Sequence, residues 1–154
     1  MRALACALLF AGCVNAHAQT QDTDIRGLGE RVVGEDLLDA FLGVTHEGAY
    51  NFDAGGRAGM RYVETHNADG TADYAEEGVE VTGAWVILGG SGAERLCFQY
   101  PDMPGGCFRV WRVANCYYYY SDLVPEVPDE VEREYWTARS VAKGEDAVCE
   151  ALFS

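Results

Sequence analysis

Basic residues are scarce in this chain of 154 residues, where 11 Lys and Arg stand against 25 Asp and Glu for a formal charge of −14. A surface so acidic repels nucleic acid and anionic lipid, whose binding needs basic patches. No apolar run reaches the roughly 20 residues that span a bilayer as a helix, so no membrane span is expected. Cys97, Cys107, Cys116 and Cys149, the cysteines beyond residue 18, show no C-x-x-C spacing and have no histidine near them, which argues against a zinc site. Internal repeats, low-complexity tracts and recognisable catalytic signatures are missing as well. The expectation is therefore a non-enzymatic protein with no metal and no cofactor.

Met1 to Thr20 reads MRALACALLFAGCVNAHAQT. Arg2 precedes an apolar stretch from Ala3 to Val14, and Ala16-His17-Ala18 has the small-x-small pattern of a signal-peptidase site. We expect a signal peptide over 1–18, cleavage after Ala18, and a periplasmic or secreted product of 136 of the 154 residues. Cleavage would remove Arg2 and take the formal charge from −14 to −15. Phe10-Ala11-Gly12-Cys13 offers a competing reading, since it resembles the lipobox of bacterial lipoproteins and would anchor the chain through Cys13. Leu is usual where Phe10 stands.

Of 6 cysteines, Cys97, Cys107, Cys116 and Cys149 lie beyond the leader. An even count in an exported chain predicts two disulfides, with three connectivities open.

The polar segment 19–33 reads as a flexible lead-in, and 34–154 as a single disulfide-bonded β domain. Within that domain, Leu37, Leu38, Phe41 and Leu42 sit at helical spacing, acids crowd the first turn and Gly43 is placed to stop the helix. After Gly43 the period changes to two. Segments near 44–52, 60–66, 71–76, 79–88, 94–100, 106–113, 115–121 and 133–142 follow one another, separated by turn residues. The acidic run from Val124 to Glu130 contains Pro125 and Pro128, which interrupt the meander. About eight short strands predict a small antiparallel up-and-down barrel, which leaves no sheet edge unpaired, with the helix at one end. A two-sheet β-sandwich is the alternative.

Asn115 to Ser121 reads NCYYYYS. Side chains alternate across a strand, so the four tyrosines must split two and two, and a slip of one residue exchanges the pairs. Core-facing Leu96, Phe98, Phe108 and Val110 place Arg95, Arg109 and Trp111 on the outer face. The turn at Ala114-Asn115 decides which tyrosines join them. With Tyr117 and Tyr119 as the outward pair, the candidate binding surface is Arg95, Arg109, Trp111, Tyr117 and Tyr119. Arginine and exposed aromatics are interface residue types, although such pairs also stabilise solvated sheet faces. The same alternation opposes Cys97 and Cys107 across a hairpin, leaving Cys116 to bridge Cys149.

Three stretches invite chemistry. Thr65 to Glu76 partly fits a calcium loop, but Thr65 replaces the first acid and Asp69-Gly70 reads better as a hairpin turn. Leu88-Gly89-Gly90-Ser91-Gly92 lacks the lysine and following helix of a phosphate loop. A hydrolytic triad would need His46 or His66 beside Ser91, Ser121 or Ser140 and a carboxylate, with no nucleophile elbow to mark it.

Gly83-Ala84-Trp85 resembles the G-x-W of lipocalins, whose meander this chain resembles in miniature. There the motif lies on the first strand and here on the fourth expected one, so no ligand-binding residue carries over. Asp69-Gly70, Gly83-x-Trp85, Leu96-Cys97 and Cys107 together resemble small exported β proteins of alphaproteobacteria with no assigned function. That resemblance covers about Leu37 to Ser121 and implies a compact disulfide-bonded β domain, with no activity attached. The expected function is a binding module whose outer face or barrel mouth meets a protein or an envelope component. The runner-up is a carrier of a small apolar ligand, and hydrolysis is a third option. Trp85, Phe98, Phe108 and the inward tyrosines are expected to fill a barrel of this size.

Overall fold

A computed structural model describes residues 25–51, 57, 59–121, 136–146 and 149. The expected signal peptide, the Cys13 anchor, the start of the lead-in and the acidic run 124–130 lie outside the described residues. A 3₁₀ turn at Ile25–Gly27 leads to β1 (Glu30–Val32) and α1 (Gly34–Phe41). Eight strands follow: β2 (Thr45–Tyr50), β3 (Arg61–His66), β4 (Thr71–Glu76), β5 (Val79–Leu88), β6 (Arg95–Tyr100), β7 (Met103–Val113), β8 (Cys116–Ser121) and β9 (Ala138–Ala142).

Each of these pairs antiparallel with the next in sequence, and β9 returns to β2, closing the ring. This is the expected up-and-down barrel rather than a sandwich. The residues alternate as the period of two requires. Tyr62, Glu64 and His66 face inward from β3, while Leu96, Phe98 and Tyr100 do so from β6. Both expected disulfides are present, Cys97–Cys107 between directly opposed residues of β6 and β7, and Cys116–Cys149. They fit an oxidising compartment. Among the described residues, no helix is long and apolar enough to cross a membrane.

The helix closes one end. Leu37 and Phe41 are fully buried, and the Phe41 ring sits 4.6 Å from His46, 5.1 Å from His66 and 5.4 Å from Tyr117. Leu38 and Leu42, at the same apparent spacing, stay exposed. A helix this short seals the barrel end with a single apolar stripe.

Two expectations need correction. Part of the segment read as a flexible lead-in is structured, because β1 pairs with β7 and buries Val32 opposite Val110. The strand β7 is 11 residues long, and β6 pairs with it only up to Phe108, so β1 occupies the remaining edge. Three residues are too few to show a period. The connection expected between the segments 94–100 and 106–113 is also shorter. Pro101 and Asp102 alone form the turn, with Asp102 at φ 58°, and β7 begins at Met103. An irregularity in the pairing between Phe98 and Tyr100 absorbs Pro104, which cannot donate to the ladder.

Candidate functional site

A cavity of about 260 Å³ occupies the barrel at the end opposite α1. Its wall is a belt of rings contributed by β2, β3, β4, β6, β7 and β8. Tyr50, Tyr62, Tyr74 and Tyr100 follow one another at centroid separations of 5.1, 5.8 and 5.4 Å. Phe98, Phe108 and Tyr119 continue it at 6.4, 6.1 and 6.0 Å. Ala138 of β9, buried opposite both Tyr50 and Tyr119, leaves the space that an eighth ring would occupy.

By bulk alone these rings are expected to fill the barrel. They do not, because glycines let them lie against the wall. A Cβ on Gly48 would stand 2.6 Å from Tyr62 Cε1, and one on Gly83 would stand 2.8 Å from Tyr100 Cε1. Gly106 lies beneath Phe108 in the same way, with a Cβ only 3.1 Å from its Cζ. Ring over glycine is a known means of covering a bare strand backbone. The small inner residues that a cavity needs are visible in the sequence at Gly48, Gly83, Gly106 and Ala138; their register is not.

Glu64 lines this cavity and is only 6 % exposed. The Tyr100 hydroxyl donates to its Oε1. Its Oε2 is 3.3 Å from His66 Nε2, but that nitrogen makes no aligned hydrogen bond. His66 Nδ1 instead donates to the Val44 carbonyl at 3.2 Å. Nearer the mouth, Tyr50 donates to Tyr74 (3.0 Å), which donates to Glu76 (2.6 Å), and Arg57 pairs with Glu76 at 3.2 Å. Burial pushes the phenols of Tyr50, Tyr62, Tyr74, Tyr100 and Tyr119 above their ordinary pKa. The Glu64 carboxylate adds to the rise in Tyr50, Tyr62, Tyr100 and Tyr119, and Glu76 does so in Tyr74. The belt therefore presents neutral rings and hydroxyls around Glu64.

A second polar chain crosses from cavity wall to helix. His46 Nε2 donates to the Ala40 carbonyl at 3.1 Å, so Nδ1 accepts from Ser140 Oγ at 3.0 Å. Ser140 in turn accepts from the Tyr119 hydroxyl at 2.7 Å. His46 and Ser140 are thus the pair a triad would need, but the remaining imidazole nitrogen faces a backbone carbonyl where a carboxylate would stand. Ser140 is 2 % exposed and lies behind Tyr119. The chain ties α1 to β2, β8 and β9. Burial, the largest cause, lowers the His46 pKa to about 4, so the imidazole stays neutral near pH 7.

The structure places the outer-face candidates differently from expectation. Ala114 takes φ 53° in a two-residue turn that sets Val113 opposite Cys116 and Trp111 opposite Tyr118. Tyr118 and Tyr120 therefore accompany Arg109 and Trp111 outside, while Tyr117 and Tyr119 face the barrel interior. The assignment of Tyr117 and Tyr119 to the outer surface is corrected on this ground. Nor are Tyr118 and Tyr120 exposed: they are fully buried in a second apolar layer with Trp136, Val141 and the Cys116–Cys149 bridge. Trp111, half-buried, packs 4.9 Å from Tyr120, with the guanidinium groups of Arg31 at 5.6 Å and Arg109 at 5.9 Å from its ring. Arg95 is exposed on the same outer face, one position beyond the Leu96–Phe108 pair.

The calcium-loop residues serve a turn. Asp69 accepts from the Thr71 amide and hydroxyl, and Asp73 accepts from Asn67 and Thr82. Among the described residues, no group of three His, Cys, Asp or Glu side chains is placed to hold a metal. Comparison with known proteins finds no matching family model, curated protein or solved structure.

Proposed function

We propose that the protein is an exported, non-enzymatic binding protein that holds a small ligand inside its barrel, in the periplasm or outside the cell. The cavity of about 260 Å³, walled by aromatic rings that stop short of filling it, is the observation that carries this reading. Concave, mostly apolar pockets with a few convergent polar groups are the usual form of small-ligand sites. The order of the two binding hypotheses is thereby reversed from the one favoured by sequence. The aromatic layer beneath the outer candidates packs against the chain's own Trp136 and Cys149, which supports a structural role there. Both disulfides and the Ala16-His17-Ala18 site support export.

Native mass spectrometry of the protein purified from periplasm, beside Ala138→Leu, tests the reading. A small-molecule adduct on the wild type that Ala138→Leu loses is the expected result. An adduct retained by a folded Ala138→Leu protein would place the ligand elsewhere. A partner captured from periplasmic extract by wild type but not by folded Trp111→Ala would restore the outer face as the binding site.

A further inference from the structure

We infer that the ligand of this cavity is a small organic cation, an ammonium compound with a short apolar or aromatic body. This rests on the cavity reading and adds the ligand's chemistry to it.

The first support is Glu64, a carboxylate that lines the cavity and has the His66 ring as its ion-pair contact among the described residues. A buried carboxylate is costly unless it is paired, and Glu64 receives a neutral phenol hydrogen bond from Tyr100. His66 Nε2 stands 3.3 Å from Glu64 Oε2 without an aligned hydrogen bond, while its Nδ1 donates to the Val44 carbonyl. Arg57 sits at the mouth, but Glu76 balances it at 3.2 Å, and its guanidinium lies 5.8 Å from the Tyr50 ring. An anionic ligand would meet the repulsion of Glu64. A neutral apolar one would offer the carboxylate no counter-charge. A cation completes the pair.

The belt is the second support. Ring faces carry the negative end of the aromatic quadrupole and attract an ammonium group within about 6 Å, most strongly where water is excluded. Tyr74 lies directly across from Glu64 on β4 and Tyr62 two residues before it on β3, with their rings nearly parallel at 19°. These phenols, kept neutral by burial, add no charge of their own to the wall beside Glu64. Size is the third constraint. About 260 Å³ is room for a small molecule such as a substituted ammonium head with a short arm. Finally, a chain with a formal charge of −14 raises the local concentration of cations and repels anions on approach.

Isothermal titration of the wild type with choline and benzyltrimethylammonium, against neohexanol and benzyl alcohol as uncharged counterparts, tests the inference. Both cations should bind at least about ten-fold more tightly than their counterparts. Glu64→Gln should lose most of that preference while retaining its far-UV circular dichroism and a cooperative melt. Equal binding of cation and uncharged counterpart would keep the cavity as a ligand site and overturn the charge assignment. Failure of both cations to bind overturns it too, whatever adduct mass spectrometry finds. Should Glu64→Gln not fold, the comparison between ligands on the wild type decides alone.

Discussion

Tyr62 packs onto Gly48, its directly opposed neighbour across β2 and β3, so closely that a Cβ on the glycine would stand 2.6 Å from ring atom Cε1. The Arg139 carbonyl closes the same space from β9. The barrel is hollow because of contacts like this one. Gly48→Ala must push the ring into the cavity or move a strand, and overpacking of this kind costs about 1–3 kcal/mol. Urea unfolding should show that loss. Gly90→Ala, in open space at ordinary φ, should remain within about 0.5 kcal/mol of wild type or gain slightly.

Acid should weaken the fold through His46. Its pKa is about 4 when folded, against 6.5 for an unperturbed imidazole, so between those values the unfolded chain takes up a proton that the folded one refuses. The contribution is complete above pH 6.5, falls as the pH drops through the window, and is gone near pH 4. The whole effect amounts to about 3 kcal/mol. Urea midpoints measured from about pH 7 to about pH 4 should fall for wild type and fall less for a folded His46→Gln protein. Equal slopes would remove His46 as the cause.

The two disulfides should contribute unequally. Cys116–Cys149 closes a separation of 33 residues and Cys97–Cys107 one of 10. Loop-closure entropy gives about 4 and about 3 kcal/mol respectively. Paired Cys→Ser variants, unfolded in urea, should rank in that order. The first should also loosen the layer around Tyr118 and Trp136, seen as increased quenching of tryptophan emission.

Trp111→Ala should lower stability by about 2–3 kcal/mol, since the half-buried ring packs on Tyr120 with the guanidinium groups of Arg31 and Arg109 beside it. Ligand binding in the cavity should survive, because Trp111 faces away from it. Loss of cavity binding in a folded Trp111→Ala protein would contradict the separation of the two layers.

By itself the sequence determined the closed meander. Strand alternation and turn residues are local signals, and Arg61–His66, Thr71–Glu76 and Val79–Leu88 lie within one residue of the segments that those signals mark. Cys97 and Cys107 are legible as a pair for the same reason, because a hairpin makes sequence neighbours into spatial ones. Where the period has no length to show itself, as in Glu30–Val32, tertiary pairing alone made the strand. The tyrosine run depended on one turn. With only Ala114 and Asn115 between β7 and β8, Tyr118 and Tyr120 face outward, and one more residue would have exchanged the pairs. The cavity depended on register around the whole ring. Gly48, Gly83 and Ala138 are plain to see, but only strand pairing puts the first two under Tyr62 and Tyr100 and the third opposite Tyr50. Glu64 reads as one acid among 25, and it became distinctive only when folding set it among neutral rings. Alternation is written residue by residue along the chain, whereas the meeting of a ring, a glycine and a carboxylate from different strands exists only once the barrel closes.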